Sequence, residues 1–157
     1  MADNTLHKKA LDVFDTLCAY LDEEEFHYER RTDMPGVNFT VAGEDLPMEF
    51  AVLIDEERQA VRLLSFLPVT FGKDKRIEGA IAACRANYSI IDGSFDYNYK
   101  TGKMTFRMTA VYLDSLFSKG LFAYMLACAF YTVDKYNDKF LMIAKGFLPI
   151  EDFFGED

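Results

Sequence analysis

The stretch GSFDYNYKTGKMTFRM, residues 93–108, alternates aromatic or Met residues with polar ones on both sides of a glycine-containing turn. Alternation of this kind marks half-buried strands, and two such runs around a Gly turn make a β-hairpin. An even connection centred on Thr101 and Gly102 sets Tyr99 opposite Met104, Tyr97 opposite Phe106 and Phe95 opposite Met108. On the other face Asp96 then meets Arg107 and Asn98 meets Thr105. A slip of one residue would put Phe95 against Arg107 and Tyr97 against Thr105, mixing both faces, so the even register is expected. Gly102 supplies the positive φ that the turn needs. The stripe is therefore expected to face inward against helices.

The same reasoning applied to MEFAVLIDEERQAVRLLSFL, residues 48–67, pairs Asp55 with Ala60. Met48, Phe50, Val52, Ile54, Val61, Leu63 and Leu67 then share one face, the expected core face. The opposite face carries Ala51, Leu53, Leu64 and Phe66 beside Glu49 and Arg62, and is far more apolar than the matching face of the later hairpin. A sheet with helices on one side should be polar on the other. Ala51, Leu53, Arg62, Leu64 and Phe66 thus form the candidate face for a protein partner or a dimer mate, unless one of the chain's own helices crosses over to cover them.

Outward from these hairpins the pattern becomes helical. Leu6, Ala10, Val13, Phe14, Leu17, Cys18 and Leu21 predict an amphipathic helix over about 5–22. FHYERR, VNFTVAG, MEFAVLID and AVRLLSFL read as four strands of an antiparallel meander. Ile77, Ala80, Ile81, Cys84 and Tyr88 predict a second helix over about 74–90. A third runs from about Leu113 to Tyr136, and DKFLMIAKGFL suggests a last short helix before the acidic tail EDFFGED. The order α-β-β-β-β-α-β-β-α-α is α+β, with a mostly antiparallel sheet and helices on one face. The 157 residues are read as a single domain, 1–157. DEEE at 22–25 is an oddity, because carboxylates at a helix C-terminus oppose its dipole.

A net charge of −9 argues against nucleic acid, whose phosphates are held by clustered Lys and Arg. Cys18, Cys84 and Cys128 each sit in an apolar helical pattern with no CxxC spacing, giving neither a disulfide framework nor a zinc pattern. The N-terminal segment lacks a continuous apolar signal stretch, so a cytoplasmic location is expected. The apolar run from Leu121 to Val133 is too short for the roughly 20 residues that span a bilayer, so no membrane insertion is expected.

Chemistry is sparse. His7 and His27 have no Cys or carboxylate at ligand spacing, and no metal is expected. Ser65, Ser89, Ser94, Ser115 and Ser118 lie in neither a GxSxG nor an SxxK context. GKDKR at 72–76 is not a P-loop, although Lys73, Lys75 and Arg76 could touch an anion at a helix start. Asp92 reads as part of a DG turn and Asp96 as the partner of Arg107. No catalytic residue and no cofactor are therefore assigned, and an enzyme is not expected.

The element order, together with AIAACRANYSIIDGSFDYNYKTGKMTFRMTAVYL, resembles the YbjN-like family of bacterial proteins, similar in fold to type III secretion chaperones. The matching residues are Asn87 in the turn after a helix, Gly93 and Phe95 of a G-x-F hairpin start, Gly102 of the turn, and Phe106 with Arg107 of an F-R strand. The resemblance implies a chaperone-like α+β fold, frequent dimerisation and a non-enzymatic regulatory or protein-binding role, with no catalytic residues. The leading expectation is a protein-binding module, a homodimer, acting through the apolar outer sheet face. The alternative is a small-molecule sensor with a pocket between the second hairpin and the long C-terminal helix.

Overall fold

The computed structural model describes residues 2–154; the end of the acidic tail, residues 155–157, lies outside them. The chain runs α1 (Ala2–Glu23), β1 (Tyr28–Arg30), β2 (Gly36–Ala42), β3 (Pro47–Asp55), β4 (Ala60–Thr70), α2 (Arg76–Tyr88), β5 (Ser94–Asn98), β6 (Lys103–Val111), α3 (Lys119–Ala144) and α4 (Ile150–Phe153). The strands form one antiparallel sheet in the order β1-β2-β3-β4-β6-β5. Helices α1, α2 and α3 lie on one of its faces, and the α+β architecture is the expected one.

The core forms where the inward residues of every strand meet the helices. Val37, Phe39, Phe50, Val52, Ile54, Val61, Leu63 and Phe106 from the sheet join Ala10, Leu17 and Leu21 of α1 and Phe122, Leu126, Ala129, Val133, Phe140 and Ile143 of α3. One ring cluster, Phe26, Phe39, Phe50 and Phe130, has centroids 4.9–6.1 Å apart. A second builds on Phe95, whose ring meets Phe106, Tyr136 and Phe140 at 4.9–5.6 Å. Such offset and edge-on contacts add about 0.5–1.5 kcal/mol per pair beyond burial.

The DEEE oddity resolves into helix-end chemistry. Phe26 N donates to Leu21 O and Glu25 N to Asp22 O, closing α1 with a Schellman motif in which Glu25 holds φ +57°. Asp22 accepts the Tyr28 hydroxyl at 2.8 Å and Glu23 pairs with Lys119, so the run is fastened rather than free.

The β3–β4 hairpin has the expected register, Asp55 opposite Ala60, and all seven expected core residues are buried. The β5–β6 hairpin keeps the expected faces but not the expected partners. Phe95 faces Phe106, Tyr97 faces Met104 and Asp96 faces Thr105, two residues away from the predicted pairing. The connection is four residues, 99–102, because the Asn98 side-chain oxygen accepts from Lys100 N and Thr101 N while Asn98 O accepts from Gly102 N at 2.7 Å. This turn lifts Tyr99 out of the sheet to 57% exposure. Arg107 still reaches Asp96 at 2.6 Å, now diagonally.

Two helices differ from expectation. The face of α2 that enters the core is Gly79, Ala82, Ala83 and Ala86, whereas Ile77, Ile81, Cys84 and Tyr88 face water. Small residues win because α2 lies close against Phe71 and Tyr97, and the Tyr97 hydroxyl donates to Arg76 O at 2.9 Å. Helix α3 starts at Lys119, where the Ser118 hydroxyl accepts from Leu121 N, and does not break near Tyr136. Phe140 and Ile143 continue its buried stripe until Gly146, at φ +77°, ends it, and the last short helix is Ile150–Phe153.

Candidate partner-binding face

Among the described residues, no helix covers the far side of the sheet. Ala51, Leu53, Arg62, Leu64 and Phe66 all lie there, and none of them belongs to the buried core cluster. Ala51 is directly opposite Leu64, and Leu53 is opposite Arg62. Ala51 is closed off by its neighbours at 5% exposure, Leu53 and Leu64 are half-buried, and Phe66 stands 56% exposed. The face is thus an apolar patch on one strand pair.

Strand β4 owes its 11 residues to a register slip against β6 between Phe66 and Thr70, with Pro68 inside the irregular segment. Proline, which has no N–H to give, suits such a break, and bulges bend and twist a strand. Beside Phe66 the outer face carries a groove of about 610 Å³, reaching from β1 across β2 and β3. His27, Glu29, Asn38, Thr40, Glu49 and Ala51 line it together with Phe66. The register explains the line-up, since Glu29 faces Asn38, Asn38 faces Ala51 and Thr40 faces Glu49.

The sequence reading placed Glu49 on the outer face but missed His27, Glu29, Asn38 and Thr40 as parts of the same site. Asn38 and Thr40 alternate with Val37 and Phe39, so the outward parity of β2 is legible, but no turn signal fixes its register against β3.

Electrostatics divide the face. Arg107 is ionised more firmly than usual by its hydrogen bond to Asp96, and the Asp33 carboxyl sits below its ordinary range because Arg31 donates to it. On the helix side of β1, burial and then the hydrogen bond to Asp22 push the Tyr28 phenol up to about 12. Arg62 lies 4.0 Å from Asp55.

The remaining residues that the sequence singles out scatter over the fold. His7 bonds Glu56 at 2.8 Å, far from His27 in the groove. Lys75 pairs with Glu78 at 2.9 Å. Asp92 accepts the Tyr124 hydroxyl, which raises that phenol to about 12. Cys84 is exposed rather than in the core. Between the second hairpin and α3 the ring of Phe95 fills the space, which gives the expected sensor pocket no support.

Two members of the hairpin motif acquire mechanical roles. Phe95 N donates to the Asn87 side-chain oxygen at 2.7 Å, and the Asn87 amide donates back to Phe95 O at 3.0 Å. The end of α2 therefore clamps the outer edge of β5. Gly93 holds φ +81° with the place of a Cβ only 2.6 Å from the Phe106 ring, so no other residue fits without movement.

A six-stranded antiparallel sheet roofed by helices on one side defines an α+β protein with one open sheet face. The chain belongs to the YbjN family, described as "putative bacterial sensory transduction regulator", whose family model matches residues 14–142. No curated protein matches it. The crystal structure of YbjN from E. coli is similar at TM-score 0.59 and 9% identity, over 85% of this chain and 91% of that one. A chain of the ExsC–ExsE complex is similar at TM-score 0.55 and 14% identity, over 82% and 92%. A chain of the HopA1–SchA chaperone–effector complex matches at TM-score 0.52 and 13% identity, over 88% and 98%. At these identities the likeness is one of fold.

Proposed function

We propose that this protein is a non-enzymatic, regulatory or chaperone-like module that holds a protein partner against the outer sheet face at Ala51, Leu53, Arg62, Leu64 and Phe66. The carrying observation is the apolar patch that no element of the chain covers, with Phe66 56% exposed. A large aromatic in water beside a groove is the anchor type that interfaces favour. The fold is shared with a chain of a chaperone–effector complex, which supports a protein partner over a small ligand. The family description, a bacterial sensory transduction regulator, supports a regulatory role, which the proposal places in the cytoplasm. The test is capture from the native cell with wild type beside Leu64→Asp. A reproducible protein retained by wild type and lost by the variant, with both folded by circular dichroism, supports the reading; equal retention overturns it.

A separate observation favours a second reading, a homodimer through α2 rather than through the outer face. Ile77, Ile81, Cys84 and Tyr88 repeat at heptad spacing on the solvent side of α2, with Ile77 66% and Tyr88 85% exposed. An antiparallel second copy would bring Ile81 near Cys84 of its mate and Glu78 near Arg85, an opposite-charge flank. Light scattering should give a dimer mass for wild type and a monomer for Ile81→Asp; a wild-type monomer removes the dimer.

A further inference from the structure

Apart from the imidazole of His27, which also lines the groove, charge is left over around it with one sign only. The basic side chains nearest this face are already engaged: Arg31 with Asp33 at 2.7 Å, Arg62 with Asp55 at 4.0 Å and Arg107 with Asp96 at 2.6 Å. Glu29 and Glu49 line the groove, both are exposed, and neither has an ion pair or hydrogen bond among the described residues. They stand on either side of β2 and two residues apart along the strands, so two inter-strand spacings and two residue rises separate their backbones by about 12 Å. Between and beside them are the small floor of Ala51 and the exposed ring of Phe66. Two unpaired carboxylates beside an apolar floor and an aromatic wall suit cations that arrive on apolar stems.

We infer that the groove accepts an extended segment of a partner protein in which basic residues at alternate positions are followed by a large apolar one. Alternate residues of an extended chain point the same way and lie about 7 Å apart, within reach of both carboxylates given the length of a Lys stem. The Lys ammonium groups meet Glu29 and Glu49, and the apolar side chain covers Ala51 and meets the Phe66 ring. This inference rests on the outer-face reading and adds the chemistry of the occupant. Exposed charge pairs of this kind steer association and set register more than they hold the complex.

The test uses dye-labelled peptides Ser-Lys-Ser-Lys-Ser-Leu-Ser and Ser-Gln-Ser-Gln-Ser-Leu-Ser, followed by fluorescence anisotropy at low salt. The Lys peptide is expected to bind, with the Gln peptide at least tenfold weaker. The double variant Glu29→Gln/Glu49→Gln should weaken the Lys peptide by about tenfold, the scale of two screened charge pairs. Glu24→Gln/Glu57→Gln removes the same charge from exposed sites away from the groove and should change nothing. If both double variants weaken binding alike, the attraction is to net charge and the inference falls. If both peptides bind equally and Phe66→Asp abolishes both, the outer face is a docking site but its occupant is not basic. If neither binds at about 1 mM, the inference falls by itself, and the outer-face reading then depends on the Leu64→Asp capture.

Discussion

Replacing Asn87 with Ala should cost more than any other polar-to-Ala change on α2. The side chain gives two short bonds to one residue, at 2.7 Å and 3.0 Å, and so satisfies both the N–H and the C=O of Phe95 on an edge strand. Phe95 itself is 3% exposed, which limits the water that could replace the lost partner. A net loss of about 1 kcal/mol per bond, plus partial desolvation of two orphaned groups, gives roughly 2–3 kcal/mol. Against a total of about 5–15 kcal/mol this is large. In urea, with a slope near 2 kcal/mol/M, the midpoint should fall by roughly 1–1.5 M at unchanged slope. Amide exchange at Phe95 should speed up more than at neighbouring core amides. Asn87→Asp keeps the acceptor for Phe95 N but turns a second carboxylate oxygen toward Phe95 O. The introduced carboxyl then has a raised folded-state pKa, so its deficit should narrow as pH falls toward the ordinary Asp value of about 3.9, where a protonated acid can donate again. A loss below about 0.5 kcal/mol for Asn87→Ala, with no change in exchange at Phe95, would refute the clamp.

Three further outcomes follow from local geometry. Glu25→Gly should stabilise the fold by about 1 kcal/mol in the same urea assay, because Glu25 occupies a left-handed position at a helix C-terminus that glycine enters without strain. Gly93→Ala should destabilise by about 2 kcal/mol or more, from strain at φ +81° and from a Cβ meeting the Phe106 ring at 2.6 Å. In an ultraviolet titration of the phenols, Tyr28 and Tyr124 should ionise near 12, later than an ordinary tyrosine. Their folded-state values are raised, so the stability they contribute is present below the ordinary value of about 10 and is lost as pH rises from there through about 12. Asp92→Asn should return Tyr124, but not Tyr28, toward the ordinary range.

Parity was the legible part of the fold. A period of two fixes which face a strand residue takes, so the core and outer faces of both hairpins followed from the sequence alone. Partners were less secure, because the four-residue turn at 99–102 depends on the Asn98 side chain capturing Lys100 N and Thr101 N, which alternation does not encode. Helix α2 shows why hydrophobicity can point the wrong way. Ile77, Ile81 and Tyr88 outweigh Gly79, Ala82, Ala83 and Ala86 in any apolar moment, yet close approach to Phe71 and Tyr97 admits only the small face. The sequence reading ended the third helix near Tyr136, but Asn137 lies buried within α3, which runs on to Ala144 before Gly146. The candidate face was legible on β3 and β4 and invisible on β1, whose three residues carry too little pattern to place Glu29 beside the same groove.

The Asn87 clamp also bears on how fast a partner can come and go. With the β5 edge engaged by a side-chain amide at Phe95 and the opposite edge offered by a strand of three residues, the sheet presents little free backbone to an incoming strand. A partner seated on the proposed face would meet side chains rather than free edge backbone, and could leave without unzipping a ladder of amides. Exchange on such a surface would be governed by the off-rate of a few anchors, as the proposed binding role requires.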